Sequence, residues 1–308
     1  DNTVSQGLII SATNVNEAPS LSSTLVANSF LETSVVGTTI ATSSASDSEL
    51  SSISYSLSGT DSSKFNVASD GTVTLASTLD YEIKSGYNIT VNASDGTNTT
   101  SQALTVTATN VNEAPTLSST LAASSFPEAS SVGTTIATSS SSDPESGSIS
   151  WSLSGTDSGK FSIASNGTVT IGSLLDYETK QAYSVTVNAS DGTNTTSQSL
   201  TVTATNVNEA PSLSSTLAAS NFPEASAVGT TIATSSASDP DADALTYSLT
   251  GTDSGKFAIA SNGTVTIGST LDYETKQAYN ITVNASDGTN TTTNALTVTT
   301  TNVNEAPS

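Results

Sequence analysis

Residues 183–189 read YSVTVNA, and apolar and polar side chains alternate along the whole stretch. On an extended chain the apolar residues share one face, and the Ser, Thr and Asn residues share the other. Strict alternation of this kind is typical of a half-buried antiparallel strand. Residues 200–205 repeat the pattern, and Asn166-Gly167 lies between two apolar runs, where it predicts a hairpin turn. The sequence therefore predicts β-structure.

The pattern returns every 96 residues, because the phrase NASDGTNTT begins at Asn92, Asn188 and Asn284. Each period contains about seven short strands separated by turn residues and no helical pattern, which is typical of an immunoglobulin-like β-sandwich. A period of this length gives each repeat its own core, unlike a solenoid, in which each repeat packs on the next. We therefore predict an all-β fold of tandem seven-stranded sandwiches in an elongated array, each extending roughly 40 Å.

The phrase TNVNEAP ends at Pro19, Pro115, Pro211 and Pro307 and marks the limits of the repeats. We expect the window to be cut from a longer array. The predicted domains are the last strand and linker of a preceding repeat, three full repeats and the start of the next repeat, at residues 1–17, 18–113, 114–209, 210–305 and 306–308.

The composition excludes several classes of function. The chain has 308 residues, a formal net charge of −22, only six basic residues, all of them Lys, and no Cys or His. It therefore lacks a thiolate nucleophile, a Ser-His-Asp triad and the usual zinc ligands. So few cations argue against a nucleic acid partner, and an anionic membrane surface would repel the chain. Oxygen ligands are abundant, and these are the ligands that Ca²⁺ prefers. We find no signal peptide or transmembrane segment and expect any export signal outside this stretch.

The acidic residues fall in short motifs that recur in each repeat. In LDYE of the second repeat, Asp176 and Glu178 are two residues apart, so they point the same way on an extended chain. Asp143 and Glu145 in DPE have the same spacing. Like charges so placed repel each other, and the chain contains no Arg to pair with them. Either water screens these pairs or a cation binds them.

Five motifs, in the same order in every repeat, resemble the cadherin repeat, and more particularly its bacterial cadherin-like form. They are a Glu near the first strand, an acidic pair after the second strand, LDYE, VNASDG and NVNEAP. The resemblance implies a cadherin-like β-sandwich that binds Ca²⁺ between consecutive domains. It implies one ligand set at the junction of the first and second repeats: Glu32, Asp80, Glu82, Asn110, Val111, Asn112, Glu113, Asp143, Glu145 and Asp191. It implies a second set at the next junction: Glu128, Asp176, Glu178, Asn206, Val207, Asn208, Glu209, Asp239, Asp241 and Asp287. Val111 and Val207 would offer only a backbone carbonyl.

The resemblance also implies two incomplete sets. One contains Asn14, Asn16, Glu17, Asp47 and Asp95. The other contains Glu224, Asp272, Glu274, Asn302, Asn304 and Glu305. The linker departs from the family pattern, because its first Asp is Asn, its second Asp is Glu, and one residue before Pro is missing. We therefore expect two or three Ca²⁺ ions per junction, with dissociation constants of roughly 10⁻⁴–10⁻³ M or somewhat tighter.

Other interpretations of these motifs are open. The acids of LDYE are also consistent with solvated strand ends. Asp61, Asp157 and Asp253 in GTDS are expected to be turn caps. Asn-x-Ser/Thr sequons arise by chance in a chain of this composition, and Trp151 is expected in the core. Carboxylate pairs serve glycosidases, but pairs that recur in every repeat suit a structural device, so we expect no enzyme.

We predict a structural extender segment of a long extracellular or cell-surface adhesin or filament, in which Ca²⁺ ions between repeats rigidify the array. The alternative hypothesis is a Ca²⁺-dependent adhesion module that binds other copies of the chain or a surface polysaccharide. Exposed aromatic residues or a variable apolar patch would favour that alternative.

Overall fold

The structure, a computed structural model, describes residues 1, 3–49 and 51–305. It divides into two compact units. The first unit comprises residues 1–117, 141–150 and 188–197, and the second comprises residues 118–140, 151–187 and those from 198 onward. The first unit thus holds the whole first repeat, and the second unit holds the whole third repeat. The predicted start of a further repeat, at 306–308, lies outside the described residues.

The first repeat is a sandwich of two four-stranded sheets, ordered β1-β3-β6-β5 and β2-β8-β7-β4. Neighbouring strands are antiparallel except β2 and β8, which run parallel, with Phe30 opposite Ala108 and Leu31 opposite Thr109. The strands are β1 (Ser20–Leu25), β2 (Phe30–Leu31), β3 (Thr39–Ser46), β4 (Ser54–Ser58), β5 (Phe65–Val67), β6 (Thr72–Leu75), β7 (Gly86–Ser94) and β8 (Thr99–Thr109).

The core of the first repeat lies between the two sheets. Ile89 and Val91 of β7 are fully enclosed, and Phe65 meets Tyr87 edge-on with ring centroids 6.5 Å apart. Burying a side chain of this size stabilises the fold by about 1.5–3 kcal/mol. In the third repeat the equivalent residues build the same core, with Phe257 against Tyr279 at 6.1 Å.

The second and third repeats have the same element order. Their strands are β9 (Ser118–Leu121), β10 (Phe126–Pro127), β11 (Thr135–Ser140), β12 (Ser150–Ser154), β13 (Phe161–Ile163), β14 (Thr168–Ile171), β15 (Ala182–Ser190), β16 (Thr195–Thr205), β17 (Ser212–Leu217), β18 (Phe222–Pro223), β19 (Thr231–Ser238), β20 (Thr246–Thr250), β21 (Phe257–Ile259), β22 (Thr264–Ile267), β23 (Ala278–Ser286) and β24 (Thr291–Thr301). In the second unit β10 and β18 pair parallel with β16 and β24, as β2 does with β8.

The predicted hairpin turn at Asn166-Gly167 joins β13 to β14, whose strands pair antiparallel. Gly167 has φ +81°, and a Cβ atom there would lie 2.5 Å from the carbonyl oxygen of Ser139. Only glycine fits this close approach without strain. Asn166 Oδ1 accepts the Thr168 N–H at 3.0 Å and holds the turn from its other side.

The all-β sandwich prediction is confirmed, and the alternation read from residues 183–189 matches the buried face of β15. Each repeat has eight strand segments, because a short second segment such as β2 joins the sheet opposite to the one that contains β1. The helical elements among the described residues are three-residue 3₁₀ turns, and no described helix could span a membrane.

Candidate metal centre

One buried glutamate ties three segments of the first unit together. Glu32 follows β2 directly and is only 4% exposed. Its Oε1 accepts the Val111 N–H at 2.6 Å, and its Oε2 accepts the Tyr81 N–H at 2.7 Å. A carboxylate that accepts two backbone N–H groups is held in a fixed position. Glu32 therefore fixes the LDYE loop and the linker relative to the end of β2.

The equivalent glutamates of the second unit make the same two bonds. Glu128 accepts from Tyr177 N at 2.6 Å and from Val207 N at 2.8 Å. Glu224 accepts from Tyr273 N and Val303 N at 2.6 and 2.7 Å.

The LDYE loop of the first repeat is held by a tyrosine that the sequence reasoning missed. Tyr87 lies near the start of β7, and its hydroxyl accepts the Asp80 N–H and donates to the Asp80 carbonyl oxygen, both at 2.8 Å. This arrangement is similar to the tyrosine corner of immunoglobulin-like folds. Tyr183 and Tyr279 bond Asp176 and Asp272 in the same way. The available signal was a Tyr seven residues after each LDYE aspartate.

A second anchor corrects one expectation. Asp61 precedes a 3₁₀ turn, but its side chain makes no capping bond there. It pairs instead with Lys84, whose Nζ lies 2.7 and 2.6 Å from the two carboxylate oxygens, and it accepts the Asn88 N–H at 2.6 Å. The pair with Lys84 is the main cause that lowers the pKa of Asp61. Asp157 and Asp253 pair with Lys180 and Lys276 in the same way, so these aspartates are ion-pair partners rather than turn caps.

Carboxylate oxygens converge at the end of the first repeat. One oxygen each from Glu32, Glu82 and Glu113 lies within 4.8 Å of the others. Ligands on opposite sides of one Ca²⁺ are about 4.6–5.2 Å apart, so this spacing fits one ion. In the second unit three further sets have this spacing: Glu128 with Asp176 and Glu178; Glu178 with Glu209 and Asp241; and Glu224 with Glu274 and Glu305.

Seven carboxylates among the expected ligands have a buried oxygen with no hydrogen-bond donor among the described residues. In the first unit, Glu113 Oε2, Asp143 Oδ2 and Glu145 Oε2 are of this kind. The Glu113 N–H donates to Glu145 Oε1 at 3.0 Å, so the two acidic residues are close together. A buried charged oxygen without a partner is costly. The remaining such oxygens are Asp47 Oδ2, Glu209 Oε2, Asp239 Oδ2 and Asp241 Oδ1.

Burial and neighbouring acids disfavour the deprotonated forms of Glu113 and Glu209. Desolvation, with the nearby acids Glu145, Glu32 and Glu82, raises the pKa of Glu113 to about 7. Desolvation also raises the pKa of Glu209 in the second unit, with Glu128 as the largest charged neighbour. Both acids thus stand where added positive charge would be stabilising.

Several further ligands expected from the sequence at these junctions have hydrogen-bond partners within the protein or are exposed. Val111 uses its N–H on Glu32, and Val207 uses its N–H on Glu128. Asn112 and Asn208 donate their side-chain amides to Asp191 and Asp287. Asp239 Oδ1 accepts the Asp243 N–H at 3.3 Å, while its Oδ2 is one of the oxygens without a donor. The linker residues Asn110 and Asn206 are exposed.

The two incomplete sets are also partly assembled. At the start of the first unit, Asn14 donates to Glu49, and Ser48 donates to Glu17, at 3.4 and 3.1 Å. Asp47 Oδ1 accepts the Glu49 N–H at 3.0 Å, and Asn16 donates to Asp95 at 2.8 Å. At the end of the second unit, Asn302 donates to Glu274, Thr275 occupies both carboxylate oxygens of Asp272, and Asn304 is exposed.

The fold and the sites together define a chain of tandem immunoglobulin-like sandwiches with oxygen-lined candidate metal sites. A family model described as Cadherin domain matches residues 27–111, 123–207 and 219–304. The chain therefore belongs to the cadherin family and consists of tandem cadherin domains, the structural modules of extracellular adhesion-type proteins. Calcium binding is characteristic of these domains.

Solved structures support the fold. The protocadherin gamma B2 extracellular cadherin domains 1–5 are 21% identical to this chain, with a TM-score of 0.59, and the match covers 94% of this chain. This chain spans only 61% of the length of that structure. Mouse cadherin-23 EC22–24 is 26% identical, with a TM-score of 0.53, and the match covers 93% of this chain and 99% of that one. No curated protein matches the sequence.

Proposed function

We propose that the chain is an extender segment of a long extracellular adhesion protein, and that Ca²⁺ bound between consecutive repeats rigidifies it. The proposal includes domain limits at 18–113, 114–209 and 210–305, the ligand sets predicted from the sequence, and two or three ions per junction. It assigns the chain no enzymatic activity.

The observation that carries the proposal is the set of partnerless buried oxygens on Glu113, Asp143 and Glu145. They belong to two consecutive repeats, and the linker between those repeats is short. A bound Ca²⁺ supplies the positive charge that lets such carboxylates approach one another. Without that charge the acids repel each other, and the linker is free to bend.

Calcium removal tests the proposal. The chain is titrated with Ca²⁺ by calorimetry and is melted in Ca²⁺ and in chelator. We expect Ca²⁺ to bind and to raise the melting temperature. At a Ca²⁺ concentration one hundred times the dissociation constant, the free energy of unfolding should rise by about 2.7 kcal/mol. Small-angle scattering follows the maximum dimension in both states. If neither the melting temperature nor the dimension changes, the proposal is wrong.

A second candidate function is self-association, and one observation favours it. The first repeat exposes Leu31, Val35 and Ile83, at 55%, 72% and 82%. The equivalent positions of the second repeat are Pro127, Ser131 and Thr179. Exposed apolar side chains at positions that are polar or Pro in the second repeat suit contact between two copies better than a spacer role. Sedimentation of the wild type and of a Leu31→Pro, Ile83→Thr variant in Ca²⁺ distinguishes a dimer from a monomer.

We further propose a bacterial surface adhesin as the parent protein. The near-identity of the repeats supports it, because such repeats suit a stalk in which length matters more than any one domain. The full coding sequence of the parent tests this origin.

A further inference from the structure

The first strand of each repeat lies at the edge of its sheet, and in two repeats a glutamine from the opposite sheet covers this edge. In the first repeat, Gln102 of β8 accepts the Ser23 N–H on its Oε1 at 2.7 Å. Its Nε2 donates to the Ser23 carbonyl oxygen at 2.8 Å. In the second unit, Gln198 forms the same two bonds with Ser119, at 2.8 and 2.9 Å. We call each pair of bonds a glutamine bridge, because it joins the first strand of a repeat to the opposite sheet.

The backbone of Ser23 is available to the bridge because the neighbouring strand does not use it. Ser23 lies opposite Ser43 of β3, and the Ser43 N–H donates to the Gly71 carbonyl oxygen on the other side of β3. Where two opposite residues of an antiparallel pair do not exchange hydrogen bonds, their N–H and C=O groups point away from each other. Those of Ser23 therefore face the edge of the sheet, and an uncovered edge is open to water or to another chain.

The third repeat has an asparagine where the other two have the bridging glutamine. Asn294 lies at the same register of β24 as Gln102 does in β8, but its side chain is one methylene shorter. Among the described residues it forms no hydrogen bond with Ser215, the equivalent of Ser23. Ser23 and Ser119 are 5% and 7% exposed, whereas Ser215 is only half-buried. The edge of β17 thus lacks the cover that β1 and β9 have.

The sequence of this strand is the same in the second and third repeats. Residues 117–124 and 213–220 both read LSSTLAAS. Ser215 Oγ lies 2.8 Å from Ser235 Oγ in the adjacent strand, and the equivalent hydroxyls of the second repeat are also 2.8 Å apart. β9 and β17 are therefore attached to their own sheets by the same side-chain contact, but only β9 is also attached to the opposite sheet by a glutamine bridge.

We propose that the glutamine bridges keep β1 and β9 closed on their sandwiches, and that β17, which has no bridge, opens before either of them. A strand that has two hydrogen bonds fewer to break has a larger population of the open form. Proteolysis follows that population, so a protease should cut β17 before β1 or β9. The bridges lie within single repeats, and the inference therefore depends neither on the Ca²⁺ sites nor on the proposed function.

Hydrogen exchange compares the two identical octapeptides directly, because equal sequences have equal intrinsic exchange rates. The whole chain is exchanged into D₂O, once in Ca²⁺ and once in chelator, and single amides are followed by NMR. We expect the Ser215 amide to exchange about tenfold faster than the Ser119 amide in both solutions, because two hydrogen bonds fewer keep its strand closed. Equal exchange rates for Ser119 and Ser215 would overturn the inference.

Proteolysis of the folded chain gives an independent measurement. A protease of broad specificity is added at low concentration, and mass spectrometry identifies the cleaved bonds. We expect cleavage within residues 213–220 before cleavage within residues 117–124, and the sequence preference of the protease cancels because the two segments are identical. Cleavage of both segments at the same rate would contradict the proposal.

Two substitutions that exchange side chains between the repeats provide matched variants. Asn294→Gln supplies the missing bridge, and we expect it to slow exchange of the Ser215 amide about tenfold and to delay cleavage of β17. Gln198→Asn removes a bridge, and we expect it to speed exchange of the Ser119 amide by a similar factor. Both side chains occur naturally at this position of the chain, so both variants should fold. If Asn294→Gln leaves the Ser215 exchange rate unchanged, the bridge does not control opening of the strand and the inference is wrong.

Discussion

Asp61 and Glu113 are two acids of the first repeat with opposite surroundings. Asp61 has a lysine within 2.6 Å, and this pair lowers its pKa. Glu113 has other acids as its charged neighbours, and its pKa is raised to about 7. The first charge is balanced by a lysine of the chain itself, whereas burial and neighbouring acids raise the pKa of the second. We therefore expect the stability contributed by Asp61 to be the same with and without Ca²⁺, and the contribution of Glu113 to depend on Ca²⁺.

Among the variants that test this contrast between the two acids, Glu128→Ala is expected to have the largest effect on stability. The change removes the acceptor of the Tyr177 and Val207 N–H groups, which costs about 2–4 kcal/mol when both are left unsatisfied. It also removes a proposed ligand, so the melting temperature should no longer rise with Ca²⁺ at this junction. Asp70→Asn is the control: it removes one charge at a turn where the other repeats carry Asn166 and Asn262. Equal calcium-dependent melts for Glu128→Ala and wild type would contradict the assignment.

Replacing Lys180 by Met should break the internally balanced pair. Asp157 keeps its charge and loses its cation, at a cost of about 1–2 kcal/mol, a value reduced for screening because the lysine side chain is 41% exposed. The loss should be the same in Ca²⁺ and in chelator, as measured by thermal melts. Lys160→Met is the matched control, because Lys160 donates to a backbone carbonyl instead. A loss of stability seen only in Ca²⁺ would contradict the distinction between acids paired with a lysine and acids surrounded by other acids.

Acid titration should separate the two kinds of acid by sign. Asp61, Asp157 and Asp253 have lowered pKa values. Their contribution is complete above their unfolded pKa of 3.8 and is lost as the pH falls through the folded value. Glu113 has a raised pKa, so in chelator stability should instead fall as the pH rises from 4.5 to about 7. Melts in chelator from pH 3 to 8 should therefore pass through a maximum, and a saturating Ca²⁺ concentration should remove its falling limb.

The smallest effect is expected for Tyr183→Phe. It deletes the hydroxyl that bonds Asp176 N and O while keeping the buried ring. We expect a loss of about 1 kcal/mol in chelator and a weaker Ca²⁺ affinity at the second junction, because the LDYE loop is less well held. Calorimetric titration with Ca²⁺ compares the affinities of the two junctions in this variant and in the wild type. An unchanged affinity would restrict this tyrosine to a fold-stabilising role.

The strand pattern and the ligand motifs were readable in the sequence because both follow local spacing. Alternation along β15 fixes its buried face, and Asn166-Gly167 fixes the turn between β13 and β14. The ion pairs between Lys and Asp could not be predicted from the sequence, because Lys84 lies 23 residues from Asp61 and no periodicity connects them. The amide orientation of Asn112 was not readable either. An amide oxygen that faces Asp191 could bind a cation beside it, whereas the amide nitrogen donates a hydrogen bond to it, and only the folded neighbours decide which atom faces Asp191.

The short parallel pair of β2 and β8 has a consequence for a chain under tension. Force enters each domain at its first strands and leaves at its last, so it pulls β2 and β8 in opposite directions. The bonds between them, such as Glu32 N–H to the Thr109 carbonyl at 3.2 Å, are then sheared together rather than opened one by one. Glu32 also holds the proposed ion site. We therefore expect calcium to raise the force at which a domain unfolds. The Ca²⁺ concentration of the solution would then set the mechanical strength of the chain.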